Sequence, residues 1–141
     1  MSAETEMISA TEMVTHIADL CSEHGIEVTA HSSGGRAWRQ IRKVSIKPVR
    51  SAVTYAVALH EIGHILGPDQ NKPSLFKEAG AWMWATQNAL EWSPQMRAKA
   101  AKCLDSYARH AIRKHKRGVC NAPTLPPAGH AFWTMCTVEA P

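Results

Sequence analysis

The sequence predicts an α+β fold: a small sheet of two or three strands packed with about four helices, one of them central. Three observations predict it. Four segments repeat apolar residues at helical spacing, two short segments rich in Val, Ile and Trp lie between the first and second of these, and the second helical segment is apolar around much of its circumference. The 141 residues fit one domain, 1–141, which at this size buries roughly two thirds of its unfolded surface without disulfides.

Residues 1–8 are expected to be a flexible N-terminus. Ser9 and Glu12 have capping-box spacing, and Met13, Val14, Ile17, Leu20 and Cys21 follow at helical intervals, so a first helix is expected over about 10–24. Gly25 supplies a left-handed stop, and Ile26 to Ala30 reads as a short strand. After a turn at 31–35, Arg36 to Lys47 reads as one amphipathic strand ended by Pro48. Ser51 caps a helix to about Leu66, carrying Val53, Val57, Leu59, Ile62 and Ile65. A turn through Gly67 to Pro73 precedes a third helix over about 74–90. Ser93-Pro94 opens the last helix, with Met96, Ala100, Cys103, Leu104, Tyr107 and Ala111 as its core stripe. Residues 119–141 form a Pro-rich tail, expected to wrap the domain with Phe132 and Trp133 as its apolar contacts.

Apolar residues make up 45% of the chain and charged residues 20%, the composition of a globular protein and not of a disordered one. No stretch reaches the apolar length of a membrane span. Glu4 and Glu6 stand where a secretory signal carries basic residues, so a cytoplasmic location is expected. Cys21, Cys103, Cys120 and Cys136 have no zinc-ribbon spacing and read as reduced thiols. A Cys120–Cys136 staple of the tail is the alternative. Residues 1–27 hold six acids and no Lys or Arg, so all 16 basic residues fall in the remainder. The asymmetry suits an acidic first helix lying against a basic body, or a nucleic-acid partner at the basic end of the last helix.

The central helix contains His60-Glu61-Ile62-Gly63-His64. Residues four apart lie one turn above each other, so both imidazoles can face one metal ion, while Glu61 beside them can serve as a general base. By residue frequency such a motif arises by chance in about 3% of chains like this one. Two histidines buried for packing alone would lack polar partners, a deficit that zinc removes.

A catalytic zinc site takes three protein ligands and water. Glu78 is the expected third ligand: it lies near the start of the next helix, with thirteen residues between it and His64, and its ordinary alternative is a first-turn acid facing the helix dipole. A metzincin-like pattern would put the ligand at position 70, which is Gln70, with Asp69 one place early. Tyr55, His31 and Tyr107 are the oxyanion-donor candidates, with Tyr55 preferred although both tyrosines also suit the core.

Val57, Ala58, Ile62, Gly63, Ile65 and Leu66 around the motif resemble the extended zincin signature. With Glu78-x-x-Ala81-x-x-Trp84-Ala85 after it, the segment from Arg36 to Trp92 resembles the gluzincin metallopeptidases of the ImmA/IrrE-like family, from bacteria, mobile elements and phages. Trp82 and Trp84 depart from the family's usual Asn and Phe. The resemblance implies a minimal zincin-like domain with Zn2+ held by His60, His64 and Glu78, and Glu61 as the base that activates water for hydrolysis of a protein or peptide substrate, such as a regulatory protein. It also implies an edge strand beside the cleft. The alternatives are a zinc-binding regulatory protein of weak activity and a basic nucleic-acid-binding module. Substrate specificity and oligomeric state are not legible in the sequence.

Overall fold

A computed structural model describes residues 8–31 and 34–141. Residues 1–7, most of the expected flexible N-terminus, lie outside the described residues. The fold is α+β, with five helices and a three-stranded mixed sheet among the described residues.

Helix α1 (Ala10–Glu23) begins at the expected capping box: Ser9 Oγ accepts from Glu12 N at 3.1 Å, and the Glu12 carboxylate accepts from Ser9 N at 2.8 Å. It buries Met13, Ile17 and Cys21 and packs on the central helix. Its acids form no ion pair with the basic body among the described residues, contrary to the expected charge complementarity. Apolar burial holds α1 in place, and the acids face water.

Gly25, at φ 63°, turns the chain into β1 (Glu27–Ala30). The single strand expected over 36–47 is instead a hairpin of β2 (Gly35–Trp38) and β3 (Lys43–Ile46). Arg42 makes the turn without a glycine: its φ is 51°, its guanidinium donates to His24 O at 3.0 and 2.6 Å, and its carbonyl accepts from Glu27 N at 2.8 Å. These long-range bonds hold a left-handed conformation that an arginine does not favour by itself. The sheet order is β1-β3-β2, with β1 parallel and β2 antiparallel to β3, and Val44 of β3 fully buried between Val28 and Ala37. Both β1 and β2 are therefore edge strands.

Helix α2 (Ala52–Leu66) is central, touching α1, β2, β3, α3 (Ser74–Asn88) and α4 (Pro94–Lys116). A Cβ on Gly63 would collide with the Ala81 backbone, so glycine there lets α2 and α3 approach backbone to backbone. Helix α4 (Pro94–Lys116) starts at the expected Ser93 cap and buries Met96, Ala100, Leu104, Ala108 and Ala111. Two positions of its expected core stripe turn outward: Cys103 is half-buried and Tyr107 is 41% exposed.

The tail contains a short helix not expected from the sequence, α5 (Ala131–Met135), which packs on α3 and α4 with Phe132 fully buried. Trp133 is half-buried and donates from Nε1 to Pro126 O at 2.9 Å. Asp105, itself buried in α4, accepts from Thr137 N at 2.7 Å, Thr137 Oγ1 at 2.6 Å and Val138 N at 3.3 Å. Burial raises the Asp105 carboxyl, but these bonds outweigh it and hold the group below its usual range. No disulfide staples the tail, since all four cysteines are free thiols. Among the described residues no helix is long and apolar enough to cross a membrane.

Candidate metal centre

Helical periodicity puts His60 and His64 on one face of α2, and the α2–α3 turn brings the first turns of α3 against it. Glu78 then bridges the two rings: Oε1 lies 2.9 Å from His60 Nε2 and Oε2 lies 3.0 Å from His64 Nε2. The imidazoles meet edge to face, with ring centroids 4.6 Å apart. Ligand atoms of His60, His64 and Glu78 all fall within 4.8 Å of one another, so the trio could hold a metal ion. Two imidazole nitrogens and one carboxylate oxygen are a donor set that suits zinc and related divalent ions.

Electrostatics binds the trio together. Burial disfavours a charged His60, but hydrogen bonds to Glu61 and Glu78 and their negative charges override it and hold the imidazole up at about 9. Burial likewise raises Glu78, yet His60 and His64 pull its carboxyl down to about 2. Glu78 is therefore an anion whose charge two rings share, the state a ligand needs once a cation replaces the ring protons.

Gln70 was weighed in the sequence only as a position for a metal ligand. It is 8% exposed, and its amide nitrogen donates to Pro68 O and Lys77 O, both at 2.9 Å. With both donors committed, Oε1 is left to accept from His64 Nδ1 at 2.9 Å. That bond holds a proton on Nδ1 and turns Nε2 to the cluster, where a metal ion would take the place of the proton shared with Glu78. A buried glutamine six residues after a candidate ligand was the available signal, but only the turn geometry gives it this partner. Asp69 instead lies 3.9 Å from Lys72.

Trp82, which is 1% exposed, stacks on His60 with centroids 4.2 Å apart and planes 17° from parallel. Its ring is a flat wall for the imidazole, at the cost of an indole N–H with no partner among the described residues. Glu61 is 7% exposed, with Oε2 3.4 Å from His60 Nδ1. Strand β2 lies directly over it: a Cβ on Gly35 would sit 2.8 Å from Glu61 Cγ and 3.0 Å from Oε2.

Above these groups opens a cleft of about 570 Å³, walled by β2, the 39–42 turn, α2, the start of α3 and Tyr107. Tyr55, the preferred oxyanion donor, is not in it. That side chain is fully buried, with its hydroxyl between His16 Nδ1 at 2.6 Å and Leu90 N at 3.0 Å. Its place at the start of α2, more than a turn before His60, puts it in the core. His31 follows β1 and does not line the cleft either. Tyr107 does, and partial burial together with the charges of Glu78, Cys103 and Glu61 pushes its phenol up to about 12, so it is a proton donor at neutral pH.

No protein-family model, curated protein or solved structure matches this chain.

Proposed function

We propose that this protein is a zinc-dependent peptidase whose ion is held by His60, His64 and Glu78. The observation that carries the reading is the convergence of those three ligand groups in an open cleft that also contains Glu61, a carboxylate beside the trio and outside it. A structural zinc site would be closed by a fourth protein ligand; among the described residues the cluster has three.

When bound, zinc supplies Lewis acidity, which polarises a carbonyl and lowers the pKa of water. The chain's own groups do the rest. Glu61 accepts a proton from the attacking water and returns it to the leaving amine. Gly35 lets β2 cover Glu61, which limits solvent around the carboxylate. Gln70 and Trp82 fix the two rings, and Tyr107 donates a hydrogen bond to the oxyanion in place of Tyr55. The free edge of β2 offers backbone groups to an extended peptide. The resemblance of the His60–His64 and Glu78–Ala85 segments to ImmA/IrrE-like metallopeptidases supports the same reading.

The test is zinc content and peptide hydrolysis measured on wild type, Glu61→Gln, His60→Ala and Glu78→Ala. Expected are stoichiometric zinc in wild type and Glu61→Gln, its loss from the two ligand variants, and a fall in turnover of about 10²–10⁴ in Glu61→Gln. Zinc retained with no Glu61-dependent turnover would point to a zinc-binding regulatory protein.

A further inference from the structure

Charge in the cleft is one-sided. Its lining includes Arg36 and Arg39 on the hairpin wall and Lys77 on the α3 wall, while Glu61 and Glu78 are its acids among the described residues. Both acids are turned onto the imidazoles. A divalent ion would offset their two charges, leaving three cations on opposite sides of the cleft. None of the three is in an ion pair among the described residues, although Lys72 and Arg109 find Asp69 and Asp105 elsewhere.

The hairpin wall also orients its charge. Trp38 pairs with Lys43 across the sheet, and Arg36 lies on the same face two residues earlier. The Lys43 ammonium and the Arg36 guanidinium carbon sit 5.1 and 5.2 Å from the Trp38 ring centroid. This contact restrains the Arg36 guanidinium, whose N–H fork matches a carboxylate.

We propose that the cleft selects extended peptide segments with Asp or Glu side chains next to the bond presented to Glu61. This rests on the peptidase reading for the site but not for its outcome, because binding and hydrolysis can be measured apart. A peptide fits the wall better than a nucleic acid does. The free β2 edge alternates N–H and C=O groups, which a strand satisfies and a phosphate backbone does not, and Ile41, 67% exposed, adds apolar surface at the mouth.

The experiment measures anisotropy of fluorescein-labelled decapeptide mixtures with the zinc-loaded Glu61→Gln protein, which retains the cleft but does not consume the probe. Three mixtures share one random background and carry Glu, Gln or Lys at two central positions. The Glu mixture should bind about tenfold more tightly than the Gln mixture at low salt, and the difference should shrink on raising salt to about 0.5 M. Arg36→Ala/Arg39→Ala/Lys77→Ala should equalise the mixtures with zinc content unchanged. Arg39→Glu, a change at an exposed turn, should by itself move the preference toward Lys. Equal binding of all three mixtures, no binding of any, or a preference that survives the triple variant overturns the proposal. Tighter binding of a labelled DNA duplex at the same cations also overturns it. Retained Glu preference with no hydrolysis by wild type overturns the peptidase reading and leaves this one standing.

Discussion

The floor of the cleft and its hairpin wall are built by opposite physics. On the floor, His60, Glu61 and Gln70 are each less than 10% exposed, and each has a named partner within about one hydrogen bond's reach. The wall at Arg36, Arg39, Gln40 and Ile41 is exposed, and its cations are free of ion pairs among the described residues. Burial makes an unpaired polar group expensive, so the floor has one arrangement in which every imidazole nitrogen has a partner, the Trp82 indole N–H being the exception. Solvent imposes no such demand on the wall. The same contrast predicts that floor substitutions change stability and metal affinity, whereas wall substitutions change what binds.

Breaking the floor at its apolar support should give the largest effect. Trp82→Ala removes a fully buried ring and the surface on which His60 stacks, and should cost about 3–5 kcal/mol in denaturant unfolding of the zinc-free protein. A loss below about 1 kcal/mol would mean that the stacking does not hold the ring. Next comes Gln70→Ala, which frees the His64 tautomer and should weaken zinc binding about 10–100-fold by chelator competition. Unchanged zinc affinity in this variant would show that the turn, and not the amide, sets the ring.

The two tyrosines sharpen the comparison at the smallest scale. Tyr55→Phe leaves His16 and Leu90 N without their buried partner, and should lower stability by about 1–2 kcal/mol with no change in activity of the folded protein. Tyr107→Phe alters an exposed residue and should leave stability within about 0.5 kcal/mol. It should lower kcat without raising KM if the phenol acts on the oxyanion. The opposite pattern, with activity lost in Tyr55→Phe, would return the sequence's first choice of donor.

How legible each part was follows from how local its cause is. Caps at Ser9, Ser51 and Ser93 involve residues three apart, and the structure has all three. The i, i+4 spacing of His60 and His64 fixes their shared face in the same way. The hairpin was missed because residues 39–42 contain no glycine, proline or asparagine, and Arg42 takes a positive φ only through bonds to residues 15 to 18 places away. Tyr107 was placed in the α4 core because it lies on the apolar stripe, yet that position faces the cleft and stays 41% exposed: the tail docks instead at Asp105, through Thr137 and Val138.

The sequence by itself determined the four long helices, the pair of imidazoles on one face and the carboxylate available to meet them, because helical geometry repeats over a few residues whatever surrounds it. Tertiary structure alone decided which lone pair His64 turns to the cluster, which tyrosine reaches the cleft, and that a strand edge lies over Glu61. Those outcomes depend on groups far apart in the chain competing for the same buried space, and no local spacing encodes that competition.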